Sequence, residues 1–350
     1  MLNQPAHANN FNLLRLLAAL QVLFVHALNH FDYEGPLVTA LKVIPGVPTF
    51  FFISGWLICG AYERSRPAGL KEFFRNRFLR IFPALWLSVL VAIGAALALG
   101  YLATQSFRFG HFVLWLAGQA SIFQFYNPDF MRGFGVGVIN GALWTISVEL
   151  QFYLLAPVLY FLLRRRAVLF ALLFAVSLGL NLYFRLQPDW SSLPMKLAQV
   201  SFLPWLYMFL TGFLVNAYRG KVDRFLQRVP LGALALGYVA SMLLVGSYTD
   251  NASNAINPIS FILLCGMIVK LATRPINLPA SISSFIRRND LSYGIYLYHM
   301  PAINVLLYTG WLSGRMSLLA TFLFSLMAAV FSWYVVEKPA LSMKRKNDRK

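Results

Sequence analysis

FNLLRLLAALQVLFVHALN, residues 11–29, decides how the rest of this chain is read. It is apolar for close to the ~20 residues an α-helix needs to cross a bilayer core. It carries two ionisable side chains, Arg15 near its start and His26 near its end. Eleven residues separate them, close to three whole turns, so both lie on nearly one helix face, roughly 16 Å apart along the axis. A guanidinium and an imidazole are costly in lipid, so this face turns toward a protein interior or a watery cavity. Chemistry is sought there first.

The rest of the chain agrees with a membrane reading. Of 350 residues, 59% are hydrophobic and 12% charged, and the mean hydropathy is +0.63, which no ordinary soluble domain shows. The apolar blocks predict an all-α polytopic membrane protein, a bundle of ten spans at roughly 11–30, 43–62, 79–102, 142–163, 167–185, 198–217, 231–249, 255–272, 291–309 and 315–336. Residues 111–126 are apolar but short and are followed by polar and Gly-rich residues, so they read as a re-entrant or interfacial piece. The net charge of +18 does not signal nucleic acid, because the basic residues sit in short loops between spans. Arg64, Arg66, Lys71, Arg75 and Arg77 follow the second span, Arg164-Arg165-Arg166 the fourth, Arg219, Lys221, Arg224 and Arg228 the sixth, and Arg274, Arg287 and Arg288 the eighth. Alternate loops hold few: Lys42, then Arg108 and Arg132, then Arg185 and Lys196. This asymmetry predicts cytoplasmic even-numbered ends and both termini inside.

No internal repeat or flexible linker appears, so residues 1–340 read as one integral-membrane domain and 341–350 as a basic cytoplasmic tail holding Lys344, Arg345, Lys346, Arg349 and Lys350. No cleavable signal is expected, since the leader is nearly uncharged and Arg15 interrupts the first apolar block. Cys59 and Cys265 lie in apolar segments without metal-ligand spacing; neither a disulfide nor a metal site is expected.

Several spans carry further polar residues. In FFFISG, Ser54 either donates a hydrogen bond into a cavity or merely accompanies Gly55, which lets backbones approach. In RFLRIFP, Arg77 and Arg80 share a helix face near its inner end, with Pro83 in the first turns; they serve either as topological charge or as forked partners for phosphates. In ALWTISVELQFYLLAP, Glu149 sits inside hydrocarbon with Tyr153 one turn later, and it either forms a structural ion pair or orients a histidine or a substrate hydroxyl. In LSYGIYLYHMP, His299 lies mid-span after Ser292, Tyr293 and Tyr296, either as a hydrogen-bonded bundle residue or as part of a site. Pro339 is expected to stop the last helix, and Glu337 to pair with a basic loop. Arg15 either snorkels to the interface or belongs to the site.

Taken together these blocks resemble the membrane-bound acyltransferase family 3, the O-acyltransferases of bacterial surface polysaccharides. The resemblance rests on six blocks in order: Arg-x10-His (Arg15, His26), FFISG (Ser54, Gly55), R-x-x-R-x-x-P (Arg77, Arg80, Pro83), W-x4-E-x3-Y-x3-P (Trp144, Glu149, Tyr153, Pro157), SYGIYLYH and VEKP. It implies acyl-CoA, most simply acetyl-CoA, as co-substrate, with no permanently bound cofactor, and a polysaccharide or lipid-linked glycan as acceptor. It also implies His26 as the essential catalytic residue and Arg15, Arg77 and Arg80 as the donor site; Glu149 joins His26 as the second catalytic candidate. Ser54, Trp144, Tyr153, Tyr293 and His299 are the further site candidates. Some relatives carry an extra C-terminal esterase-like domain, which this chain is expected to do without. His26 would act as general base, since imidazole titrates near neutral pH; a transient acyl-histidine is the alternative. The competing classes are a flippase for a lipid-linked sugar, which should show paired repeats, and an acyltransferase for a non-sugar acceptor.

Overall fold

The computed structural model describes residues 10–186, 192–246, 254–276 and 278–344, and among them it is helical and without strands. Arg345, Lys346, Arg349 and Lys350 of the expected tail, and the loop around residue 250, lie outside the described residues. In chain order the helices are α1 (Phe11–His30), α2 (Pro36–Lys42), α3 (Gly46–Ser65), α4 (Leu70–Ala98), α5 (Phe109–Gln119), α6 (Trp144–Arg165), α7 (Ala167–Leu186), α8 (Leu193–Gln199), α9 (Leu206–Ala217), α10 (Arg219–Arg228), α11 (Leu231–Val245), α12 (Pro258–Thr273), α13 (Ala280–Arg288), α14 (Ser292–Thr309), α15 (Arg315–Ser332) and, after a π-helical turn over Trp333–Glu337, α16 (Lys338–Ser342).

Each of the ten apolar segments holds a helix, but they do not all qualify as spans by length and composition. Six do; two bent pairs, Leu193–Gln199 with Leu203–Ala217 at 49° and Arg219–Arg228 with Leu231–Val245 at 90°, raise the number to eight. The two that fall short of the expected ten are α12, with 16 residues, and α14, whose tyrosines, His299 and Asn304 dilute its apolar character. The protein is nonetheless a multi-pass membrane protein. Residues 111–126 form only the 11-residue α5 and the loop after it, too short to cross a bilayer.

Three basic segments expected as loops hold helix. The third span starts at Leu70 rather than residue 79, because Phe73 and Asn76 give the preceding turns a buried face. Arg75 and Arg77 therefore lie within α4, and Pro83 lies in mid-helix rather than in the first turns. The basic run after the sixth span forms α10, and the 274–288 run leads into α13.

The chain groups into two compact units, residues 1–21, 42–63 and 155–290, and residues 22–41, 64–154 and 291–350. In the first, α3 and α9 cross at Gly55 and Gly212. A Cβ on Gly55 would run into the Phe209 carbonyl, and one on Gly212 into that of Phe52, so only hydrogen side chains let the two backbones meet. Ser241 and Ser260 join α11 to α12 by a 2.6 Å hydrogen bond. Lys270 Nζ donates to the carbonyls of Leu226 and Val229 at the end of α10, both at 2.6 Å, and so satisfies acceptors the helix leaves open. Asn10 does the same for Leu271 and Arg274, and Asn12 for Ile286. Cys59 and Cys265 are both free and buried.

In the second unit α14 is the hub. Every residue from Ser292 to Asn304 is buried. Gly294 lies against Ala329 of α15, and Tyr293 donates to the Ile81 carbonyl of α4 at 3.0 Å. Pro301 has no N–H for the Leu297 carbonyl one turn back. Asn140 Nδ2 fills that place at 2.8 Å. Asn304 then receives the Val136 N–H and donates to the carbonyls of Val138 and Ile139. The Gly-rich segment before α6 is thus fixed along the helix that carries His299.

Candidate active site

The site is assembled in the second unit from α1, α4, α6, α14 and the π-turn. His26 lies one turn before the end of α1 and is partly exposed, whereas its partner His299 is fully buried. His26 Nδ1 and His299 Nε2 are 2.9 Å apart. His299 Nδ1 in turn reaches the Ile295 carbonyl one turn back, at 3.3 Å. Tyr296 packs edge-on to His299, ring centroids 5.7 Å apart. Its hydroxyl is held by Thr145 Oγ1 at 2.5 Å and the Ala142 carbonyl at 3.2 Å. His30 follows His26 by one turn, with ring centroids 6.3 Å apart.

A second polar group lies on α4 and α6. Tyr153 donates a short hydrogen bond to Glu149. The Arg77 guanidinium stands 5.9 Å over the Tyr153 ring and 5.9 Å over that of Phe73, within electrostatic reach of Glu149, and its buried Nε has no hydrogen-bond partner. Arg80 lies 5.8 Å over the Tyr293 ring and pairs with Glu337 at 3.9 Å; its side chain is 12% exposed and that of Glu337 2%. Arginine suits this work because its flat cation stacks on rings while forking toward acids. Glu337 thus finds its cation on a helix, not on a basic loop, and it sits in a π-turn, a geometry often found at functional sites.

The structure therefore gathers His26, Arg77, Arg80, Glu149, Tyr153, Tyr293 and His299 in one unit, where Trp144 opens α6 and is partly exposed. Arg15 and Ser54 fall in the other unit. Arg15 Nη1 is 2.5 Å from Asp290 Oδ2, with side chains 18% and 10% exposed, and Ser54 precedes the Gly55 crossing. Sequence reasoning missed Asp290 as a partner for Arg15, and Thr145 and Asn140 as anchors. An acid just ahead of the SYGIYLYH block was the available signal for Asp290. The acid expected to orient a histidine is engaged with Tyr153, and the group holding His26 is a second histidine. Among the described residues no three His, Cys, Asp or Glu side chains could hold a metal ion.

The chain is similar to "Nodulation protein 10" of Rhizobium leguminosarum bv. viciae, 33% identical over 98% of this chain and 95% of that one. It is similar to an "O-acetyl transferase" of Shigella phage Sf6, 27% identical over 96% of each. It is also similar to "Exopolysaccharide production protein ExoZ" of Rhizobium meliloti, 26% identical over 86% of this chain and 90% of the relative. No solved structure matches. The acyltransferase domain profile of family 3 matches residues 9–337, so the chain belongs to the acyltransferase 3 family.

Proposed function

We propose that this protein is a membrane-bound O-acyltransferase that moves an acyl group, acetyl in the first instance, from cytoplasmic acyl-CoA to a sugar hydroxyl of a cell-surface or lipid-linked polysaccharide in a bacterial inner membrane. The observation that carries the reading is His26: one ring nitrogen, Nδ1, is held by a buried histidine, and that contact leaves Nε2 for a substrate. That nitrogen removes the hydroxyl proton as the sugar oxygen attacks the thioester carbonyl. The C–O bond forms, the C–S bond breaks, and the proton passes to the departing thiolate of CoA. Names of relatives that mention O-acetyl transfer and exopolysaccharide production support this choice of acyl group and acceptor class.

Arg77 and Arg80 serve the donor, and Arg77, with an unpartnered buried Nε, has capacity left for an anionic or carbonyl oxygen. Glu149 and Tyr153 hold Arg77 in place. The loop charges support an orientation with Arg77 and Arg80 toward the cytoplasmic side, His26 toward the outer side and both termini inside.

The test uses protein in sealed vesicles, with labelled acetyl-CoA on the cytoplasmic side and a glycan outside. Label should appear on the glycan. Product only when both substrates share the cytoplasmic side would overturn the placement of His26, and no glycan product in either arrangement would overturn the acceptor class.

A further inference from the structure

We infer that His299 is a positioning residue that fixes the tautomer of His26 and so places its basic lone pair on Nε2. The inference rests on the acyltransferase reading above. Its starting point is the Ile295 carbonyl, which can only accept. His299 Nδ1, 3.3 Å away, therefore carries a hydrogen. A neutral imidazole has one N–H and one lone pair, so His299 Nε2 is an acceptor. The atom 2.9 Å from it is His26 Nδ1, which must then be the donor. With its hydrogen on Nδ1, His26 keeps its lone pair on Nε2, the nitrogen that His299 does not touch.

The arrangement performs the orienting task that a carboxylate performs for a histidine base in hydrolases, with a neutral acceptor in its place. The setting explains the choice. His299 is 0% exposed, and a carboxylate there would need a counter-ion of its own. When His26 takes a proton, its Nδ1–H becomes a cationic donor, and the bond to His299 strengthens as the charge appears. The other titratable groups around the pair are His30 on α1, with Asp32 acting on it, and Tyr296 on α14, with Glu149 within electrostatic reach of its ring. The Tyr296 hydroxyl is already committed to Thr145 and the Ala142 carbonyl, so it does not compete for the bond.

Three substitutions test this in full-length protein. His299→Leu removes the acceptor, His299→Gln offers an amide oxygen near the place of Nε2, and His299→Asp offers a charged acceptor. The readouts are kcat, the KM of each substrate, the pH profile of kcat/KM, and the ring-nitrogen signals of protein labelled with 15N-histidine. His299→Leu should lower kcat about 10- to 100-fold, the worth of one oriented hydrogen bond, with both KM values little changed. Its acid limb should move to lower pH, because the imidazolium of His26 loses a stabilising acceptor. His299→Gln should recover most of kcat, and His299→Asp should move the acid limb to higher pH. The nitrogen signals should show hydrogen on His26 Nδ1 in the native protein and a tautomer mixture in the Leu variant. Equal losses in the Leu and Gln variants with an unmoved acid limb would overturn the inference, as would native His26 carrying its hydrogen on Nε2. If the native protein transfers no acyl group, the acyltransferase reading fails instead, and the nitrogen signals still decide the tautomer.

Discussion

Gly294→Ala is a demanding perturbation of the hub helix. A Cβ on Gly294 would lie 2.7 Å from Ala329 Cα and 2.8 Å from Ala329 Cβ. Carbon atoms in contact need about 3.5–4.0 Å, so α14 and α15 would have to part by about 1 Å. The obstacle includes backbone, which cannot swing aside, so overpacking should cost about 1–3 kcal/mol, toward the upper end. The same movement acts on His299, five residues on, whose 2.9 Å bond to His26 has little tolerance before it is lost. A misplacement of about 1 Å at a reacting group can cost about 100-fold in rate. Thermal unfolding in one detergent and acetyl transfer at saturating substrates measure the two effects. Gly94→Ala in α4 is the control, since nothing lies within 4 Å of its Cβ. Adding Ala329→Gly to Gly294→Ala removes the Cβ clash but not the Cα one, so rescue should be partial. If Gly294→Ala unfolds and turns over like the control, the α14–α15 spacing is not tight and the reasoning fails.

Further outcomes concern the site itself. His26→Ala and His26→Gln should both abolish acyl transfer with melting temperatures near the native value, since Gln copies hydrogen bonds but not basicity; substantial residual turnover in either would remove His26 as the base. Arg77→Lys and Arg80→Lys should each raise the KM for acyl-CoA and rescue the Ala variants only in part, because a point charge replaces a flat fork; an unchanged KM in the double Ala variant would return both to a topological role. Arg15→Met and Asp290→Asn should each destabilise, and a double-mutant cycle should give a coupling of about 1–3 kcal/mol by thermal or denaturant unfolding; additive losses would mean the 2.5 Å pair does not hold α1 to the segment before α14.

Much of the fold was legible in hydropathy because lipid imposes a simple rule: every backbone polar group is satisfied within its own helix. That rule located α1, α3, α6, α7 and α15 closely. It did less well where a helix trades lipid for protein. Since α14 is buried from Ser292 to Asn304, it can carry tyrosines, a histidine and an asparagine that lower its apolar signal. The start of α4 was hidden by its charges, which belong to a helix lying beyond the apolar block. Within the site, spacing on one helix put Arg77 with Arg80 and Glu149 with Tyr153. The contacts between helices were not legible. Nothing about His299 in isolation pairs it with His26, 273 residues away, and nothing about Asn140 ties it to Leu297 until Pro301 is seen to leave that carbonyl open.

The wide separation of the paired residues has a consequence for how the protein comes into being. A ribosome delivers α1 and α4 early and α14 and α15 late. Through most of synthesis, then, Arg15 waits for Asp290, His26 for His299, and Arg80 for Glu337. α4 must enter the bilayer with Arg77 and Arg80 not yet neutralised, a penalty offset by the long apolar run behind them. On the proposed mechanism, chemical competence is thus withheld until α14 and the π-turn after α15 have emerged. A nascent chain stalled before α14 would, on that mechanism, be embedded in the membrane but inert, its His26 still without the partner that α14 brings.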